Sequence, residues 1–180
     1  MFENKLGVLM AGAAGLFLLG TLATVVLPFT DTSMTTPTAS AELRDYKPDS
    51  AEARGRDVYI ANGCNTCHTQ YVRPVKADAN LGPVSQPGDY YFDTPHLLGS
   101  NRMGPDLMWI GQRQPSEDWH RRHLHNPRDT SPGSIMPAYD YLSDQETNDL
   151  IAYLLSLKPA APGAKSEAEK KLEAQKGASE

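Results

Sequence analysis

The sequence predicts an all-α protein, a helical domain preceded by a single transmembrane helix. Three observations carry that reading. Leu6 to Phe29 contains no charged residue. Two segments with helical signatures, Ala51 to Asn62 and the stretch opened by Ser143-Asp144-Gln145-Glu146, bracket the rest of the chain. No β-rich run flanks the Gly63-Cys64-Asn65-Thr66-Cys67-His68 stretch that follows the first of them.

The bulk properties set limits. A chain of 180 residues has room for one domain plus extras. A net charge of −5 and a pI near 5.5 give no basic footprint, so nucleic acid is not expected as a partner.

The apolar run comes first. At about 1.5 Å per residue it is roughly 36 Å long, enough to cross a hydrocarbon core of about 30 Å with some tilt. A cleaved signal peptide is the alternative, but its hydrophobic region is typically about 7–15 residues. The small-residue stretch Thr38-Ala39-Ser40 also lies well beyond the run. A retained anchor over residues 1–29 is therefore expected. Lys5 and the free amino terminus precede the span and Asp31 follows it, a positive-inside bias diluted by Glu3. Gly12, Gly15 and Gly20, with neighbouring alanines, would let another helix approach closely.

Residues 30–49 are rich in Thr, Ser, Pro and Ala and have no apolar period, which reads as a flexible tether. Behaving as a coil, such a segment would span about 25 Å. Whether it docks on the domain is left open by composition. The domain itself is expected over residues 50–158. Ser50 is a plausible N-cap for its first helix, and Gly63 can end that helix in a left-handed conformation. A short helix is expected from Ser116 to Leu124, with Trp119 facing inward and Asn126-Pro127 interrupting it. The last domain helix follows the capping box at Ser143, with Leu150, Ile151, Leu154 and Leu155 at helical spacing, and Pro159 blocks its extension. Between these helices, Thr69 to Ser100 is a long connection carrying Pro74, Pro83, Pro87 and Pro95. Its aromatics, Tyr71, Tyr90, Tyr91 and Phe92, argue against simple disorder. The connection is expected to wrap a cofactor edge or contact a partner. Residues 159–180 are Ala-, Lys- and Glu-rich with one large apolar residue, Leu172, which predicts frayed helix or disorder.

The chemistry is concentrated at Cys64, Cys67 and His68. Two thiols separated by two residues, with histidine next, is the spacing for covalent attachment of a c-type haem. Each thiol adds across a vinyl group of the porphyrin, and the next residue then lies beneath the iron. His68 can supply the proximal nitrogen. A zinc site would need about two further ligands at short spacing, and the remaining histidines, His96, His120, His123 and His125, lie far along the chain. A thioredoxin-like pair would follow a buried strand, and here a helical segment precedes it. One covalently bound haem c would consume both cysteines. Its maturation on the outer face of an energised membrane would place the domain outside the cytoplasm.

What fills the sixth iron position decides function. A thioether there favours electron transfer, and an open position permits ligand chemistry. Met136 lies in Ser134-Ile135-Met136-Pro137-Ala138-Tyr139, where Pro137 stiffens the turn that would present the sulfur. Met103 and Met108 are rivals, the latter beside Trp109 in an apolar run and better read as core. Arg73 and Arg102 lie near the expected haem crevice, where a guanidinium could pair with a propionate. The four histidines after His68 read as surface or propionate-facing hydrogen-bonding groups.

Several motifs in order resemble one family. The stretch Gly63 to Gln70 followed by Val72-Arg73-Pro74, then Tyr91 to Pro95, Gly99 to Leu107, Trp119-His120 through Pro127-Arg128, and Ser134 to Tyr139, is similar to the mono-haem subunit II of cbb3-type cytochrome c oxidases. The resemblance covers roughly Arg54 to Leu157. It implies a class I cytochrome c domain with long loops, in which the first and last helices cross with glycine meeting an aromatic. Gly55 and Tyr153 would take those places. It further implies Cys64 and Cys67 as thioether attachments, His68 and Met136 as axial ligands, and Pro105 as the carbonyl that accepts the second N–H of His68.

The resulting expectation is a single-pass cytochrome of the cytoplasmic (inner) membrane with its haem domain on the periplasmic or outer face. It would take electrons from a cytochrome c donor or a sister haem subunit and pass them singly to the catalytic subunit of a haem-copper oxidase, without being an enzyme on its own. The alternatives are the anchored haem c subunit of a nitric oxide reductase and a free-standing anchored carrier. A peroxidase is disfavoured, because Met136 would leave no vacant iron site.

Overall fold

The computed structural model describes residues 5–177, which divide into two compact units at Thr36 and Pro37. Every regular element among the described residues is helical.

The first unit is built on α1, Leu6–Thr30, whose 25 residues are long and apolar enough to cross a membrane. Its ladder is not uniform. Pro28 has no N–H to give the carbonyl of Thr24, and the turn before it, Leu22–Val26, is widened to a π-helix in which Leu27 N–H reaches the carbonyl of Leu22. The hydroxyls of Thr21 and Thr24 bond back to the carbonyls of Phe17 (2.9 Å) and Gly20 (2.8 Å), so these polar groups are satisfied within the helix.

The second unit is organised by a helix crossing. Its elements in chain order are α2 (Ala39–Glu42), α3 (Ala51–Ala61), α4 (Ile110–Arg113), α5 (Glu117–His125), α6 (Pro127–Thr130), α7 (Asp144–Ser156) and α8 (Glu167–Gly177). Ser50 caps α3 by accepting the N–H of Ala53, and Gly63, at φ 63°, ends it. Ser143 and Glu146 close a reciprocal capping box on α7. The two helices cross at Gly55, as expected: a β-carbon there would lie 1.9 Å from the carbonyl oxygen of Asp149 and 2.9 Å from Cβ of Tyr153. Tyr59 meets Tyr153 edge to face at 5.4 Å. Arg54 grips Asp149 with two 2.8 Å hydrogen bonds across the same crossing. The main core gathers here, with Leu97, Ile110, Leu124, Leu150, Ile151 and Leu157 buried around the two tyrosines.

A second apolar centre lies under the long connection, where Val72, Tyr90, Met108 and Trp109 are buried together. The connection is held by short turns and by polar bonds. Trp109 Nε1 donates to the carbonyl of Pro83 (2.8 Å), Tyr90 Oη to that of Gln70 (2.8 Å), and Val72 N–H to Ser85 Oγ (2.9 Å).

Two segments are more ordered than composition alone indicates. Residues 30–49 are expected to be a flexible tether whose docking composition leaves open, and from Thr38 to Tyr46 the chain is docked on the domain. Ala41 is buried, Thr38 Oγ1 donates to Asp89 (2.6 Å), Tyr46 bonds Ser156 (2.6 Å), and Arg44, only 2% exposed, pairs with Asp93 (3.3 Å) and donates to the carbonyl of Asp89. These partners lie far away in sequence, so composition carries no trace of them. The stretch after Pro159 is expected to be frayed helix or disorder, and of the two it takes the helix, α8, over Glu167–Gly177. Ser166 and Glu169 cap its start reciprocally, Ala160 N–H bonds Ser40 Oγ (3.0 Å), and Glu167 N–H bonds Glu42 (2.8 Å). Residues 178–180 of that stretch lie outside the described residues.

Candidate cofactor site around Cys64, Cys67 and His68

The site begins where α3 ends. Gly63 turns the chain in the left-handed region, and a single 3₁₀ turn, Cys64–Thr66, follows, closed by the bond from Cys67 N–H to the carbonyl of Cys64 (3.2 Å), which His68 N–H also reaches (3.0 Å). Both cysteines are free thiols and half-buried. Cys64 packs on the main core, and burial pushes its thiol up to about 11, which keeps it protonated.

His68 is 9% exposed and its ring is held from two directions. Nδ1 lies 2.7 Å from the carbonyl oxygen of Pro105. A carbonyl can only accept, so Nδ1 carries the proton and Nε2 keeps its lone pair. Below the ring lies Gly104, where a β-carbon would stand 2.2 Å from Cε1 and 2.8 Å from Nε2. Burial lowers the pKa of His68, which favours the neutral imidazole that a metal needs. Two free thiols, a seated neutral imidazole with one nitrogen available, and a glycine cradle are the donor set and clearance a covalently attached haem would use, so the residues present fit the group.

The carbonyl of Pro105 is itself braced. Gly104 N–H bonds the carbonyl of Cys67 (3.0 Å) and Leu107 N–H that of Thr69 (2.7 Å), pinning residues 104–107 against the stretch after the histidine. Asp106, buried, accepts from Thr69 Oγ1 (2.6 Å), Tyr71 N–H (2.8 Å) and Met108 N–H (2.9 Å). Gly99, at φ 76°, passes so close beneath that a β-carbon would sit 2.5 Å from the carbonyl of His68.

Arg73 and Arg102, expected beside a propionate, are both turned to Asp78. Arg73 binds it through Nε (3.1 Å) and Nη2 (3.0 Å), and Arg102 through Nη1 (2.6 Å). Arg102 also donates to Thr69 Oγ1 (2.7 Å) and to the carbonyl of Tyr71. Asp78 is 1% exposed, and the two guanidiniums hold its carboxyl well below the usual carboxylate range. Both arginines thus serve as struts between the long connection and residues 69–71.

Of the methionines, Met136 is half-buried against the main core, in a turn tied by its N–H to Ser134 Oγ (3.2 Å) and by Tyr139 N–H to the carbonyl of Leu124 (2.8 Å). Met108 is wholly buried in the second apolar centre, and Met103 is 60% exposed. His120 and His123 sit on α5. His120 Nε2 is 2.8 Å from the carbonyl of Gln114, and His123 stacks on Trp119 at 4.5 Å with Nδ1 2.6 Å from Thr130 Oγ1. Among the described residues no three His, Cys, Asp or Glu side chains gather as a metal cluster.

Sequence reasoning missed Gly104, Gly99, Asp106 and Asp78. Nothing in a glycine two residues from Arg102 says that a histidine ring will lie on it. The run Gly104-Pro105-Asp106 was nevertheless visible within a matched motif.

Residues 1–174 match the family model described as Cytochrome C oxidase, mono-heme subunit/FixO. That match takes in the long apolar helix α1 and most of α8, beyond the span of the motifs noted above. No curated protein matches the chain.

Proposed function

We propose a function from one premise: the chain belongs to the mono-heme subunit (FixO) family of cytochrome c oxidase. On that premise it is a membrane-anchored c-type cytochrome. It takes single electrons from a cytochrome c donor or a sister haem subunit and passes them to the catalytic subunit of a haem-copper terminal oxidase. It carries no catalytic residue of its own. The observation that supports this most strongly is the seating of His68, with Nδ1 bonded to Pro105 and the ring on Gly104, one residue after two free thiols.

In this reading Cys64 and Cys67 would hold the haem through thioethers, and His68 and Met136 would bind its iron. A haem so held supplies a one-electron iron couple, and a thioether ligand favours its reduced form. The protein's contribution is to orient and to exclude water. The carbonyl of Pro105 fixes the tautomer and tilt of His68 and raises its basicity. Asp106 and Arg102 hold that carbonyl in register with residues 69–71. The apolar core around Leu97, Leu124 and Leu150 keeps the surroundings dry. The helix Leu6–Thr30 is the single-pass anchor, and the haem domain lies on the periplasmic or outer face of the cytoplasmic membrane.

The test is covalency followed by company. Denaturing electrophoresis of the full chain should leave haem on the polypeptide, with a pyridine spectrum of the two-thioether type. Haem released into solvent would refute the site. Purification in mild detergent should then bring down a copper-containing catalytic subunit. A partner with non-haem iron, or no partner, would remove the oxidase assignment while leaving the haem site intact.

A further inference from the structure

We propose that His123 is a positioning residue for Met136: together with the backbone of Leu124 it makes the last turn of α5 a clamp on both ends of the loop that presents the sulfur. The inference rests on the reading of Met136 as an axial ligand. It begins from two ties made by adjacent residues. Nδ1 of His123 lies 2.6 Å from Thr130 Oγ1, at the entry to the loop. The carbonyl of Leu124 accepts the N–H of Tyr139 (2.8 Å), at its exit. Met136 lies on the stretch between them, residues 131–138.

Inside the loop little is buried. Pro132, Gly133, Ile135, Pro137 and Ala138 are all exposed. The loop's own bonds are local, from Ser131 N–H to the carbonyl of Pro127 (2.9 Å), from Ser134 N–H to that of Ser131 (3.0 Å), and from Met136 N–H to Ser134 Oγ (3.2 Å). Local bonds set the shape of a loop. Its distance from the helix behind it is set by the ties at its ends.

The α5 side of the clamp is fixed. Leu124 is buried in the main core. Trp119, one turn earlier on the same face, stacks on the His123 ring with centroids 4.5 Å apart and planes 10° apart, which holds the imidazole in one plane. The proton positions follow from the partners. Thr130 Oγ1 also lies 3.3 Å from the carbonyl oxygen of Pro127. A carbonyl only accepts and a hydroxyl has one proton, so both bonds form together only when Thr130 donates to Pro127 and accepts Nδ1–H of His123. Pro127 is buried, so this relay ties the loop entry to a fixed point at each end.

The experiment uses the full haem-bearing chain, oxidised and in detergent, with imidazole as the competing iron ligand and loss of the near-infrared sulfur-to-iron band as the readout. An outside ligand binds only where the sulfur has left, so its apparent affinity rises with the open fraction. His123→Phe keeps an aromatic ring on Trp119 and removes Nδ1. Losing one such bond should tighten imidazole binding about fivefold. Thr130→Val should do the same, and Thr130→Ser should bind as the unsubstituted chain does. The double variant His123→Phe/Thr130→Val should match Thr130→Val alone rather than multiply to about 25-fold. Ser116→Ala uncaps the far end of α5 without touching the loop, and it should leave the affinity unchanged. Unchanged affinity in His123→Phe, multiplication in the double variant, or an equal rise in Ser116→Ala overturns the proposal and leaves Met136 as the ligand. Should His123→Phe fail to mature, the Thr130 pair decides: a rise in Thr130→Val alone supports the clamp, and any other result overturns it. An unsubstituted chain without the near-infrared band removes the Met136 reading, and the clamp falls with it.

Discussion

Gly55→Ala sets two energies of opposite sign against each other. An alanine in a helix interior is favoured over glycine by about 1 kcal/mol, so propensity alone predicts a more stable protein. The crossing predicts the reverse. The new β-carbon would lie 1.9 Å from the carbonyl oxygen and 2.4 Å from the carbonyl carbon of Asp149. Ordinary contact needs well over an ångström more, so α3 and α7 must separate along the seam that buries Tyr59, Leu150 and Tyr153. Overpacking a close-packed seam costs about 1–3 kcal/mol, and a backbone obstacle that cannot rotate away belongs at the upper end. The net is a destabilisation of about 2 kcal/mol, roughly 4–8 °C in Tm for a domain of this size. The assay is thermal unfolding of the full haem-bearing chain in detergent, followed by far-ultraviolet circular dichroism. Because the nearest atom is backbone, trimming Tyr153 to leucine in the same chain should not restore the loss. A Tm equal to or above that of the unsubstituted protein would refute the crossing argument, and rescue by Tyr153→Leu would show the obstacle to be the side chain.

Four further outcomes are expected. Met136→Ala should lower the reduction potential, a 100 mV fall being about 2.3 kcal/mol for one electron, and abolish the near-infrared sulfur-to-iron band. Met103→Ala should keep that band, as should Met108→Ala despite a core loss of about 2–5 kcal/mol; loss of the band in either would reassign the ligand. Gly104→Ala should push the His68 ring off Pro105, and loss of a net bond of about 1 kcal/mol should raise the potential by about 40 mV, an unchanged potential counting against the cradle. Asp78, whose carboxyl is held low by Arg73 and Arg102, contributes stability that is present above the ordinary carboxylate pKa and is lost as pH falls through its depressed one; Tm measured from neutral to strongly acid pH should therefore fall less steeply in Asp78→Asn than in the unsubstituted chain. The chain should stay with membranes through a carbonate wash with its N-terminus intact, and an N-terminus near Ala41 would show a cleaved signal.

The parts of this protein that were legible in the sequence are those whose physics is local. The caps at Ser50 and Ser143, the left-handed Gly63 and the uncharged run of α1 each depend on a few neighbouring residues, and each was read from them. The Gly55–Tyr153 contact came from a family pattern, because only a crossing partner some hundred residues away gives a helical glycine meaning. What could not be read is long-range and polar. Thr38, Arg44 and Tyr46 look like tether until Asp89, Asp93 and Ser156 are brought to them. Arg73 and Arg102 were aimed at the cofactor by proximity along the chain, and the buried Asp78 that captures both carries no sequence mark. The second apolar centre is legible only in part, since Met108 beside Trp109 reads as core while Val72 and Tyr90 share no period with them.

The bracing behind His68 has a consequence for speed. When a metal changes charge by one unit, its ligands and the dipoles around them tend to shift, and the energy of that shift sets the barrier to electron exchange. Here the imidazole is bonded to Pro105 and seated on Gly104, and the peptides on either side are stitched by Asp106, Arg102 and Thr69. Dipoles fixed before the event need not rearrange during it. With a haem held there as proposed, the reorganisation energy of the centre would be kept small by the protein frame, and electrons would pass in either direction on a modest driving force.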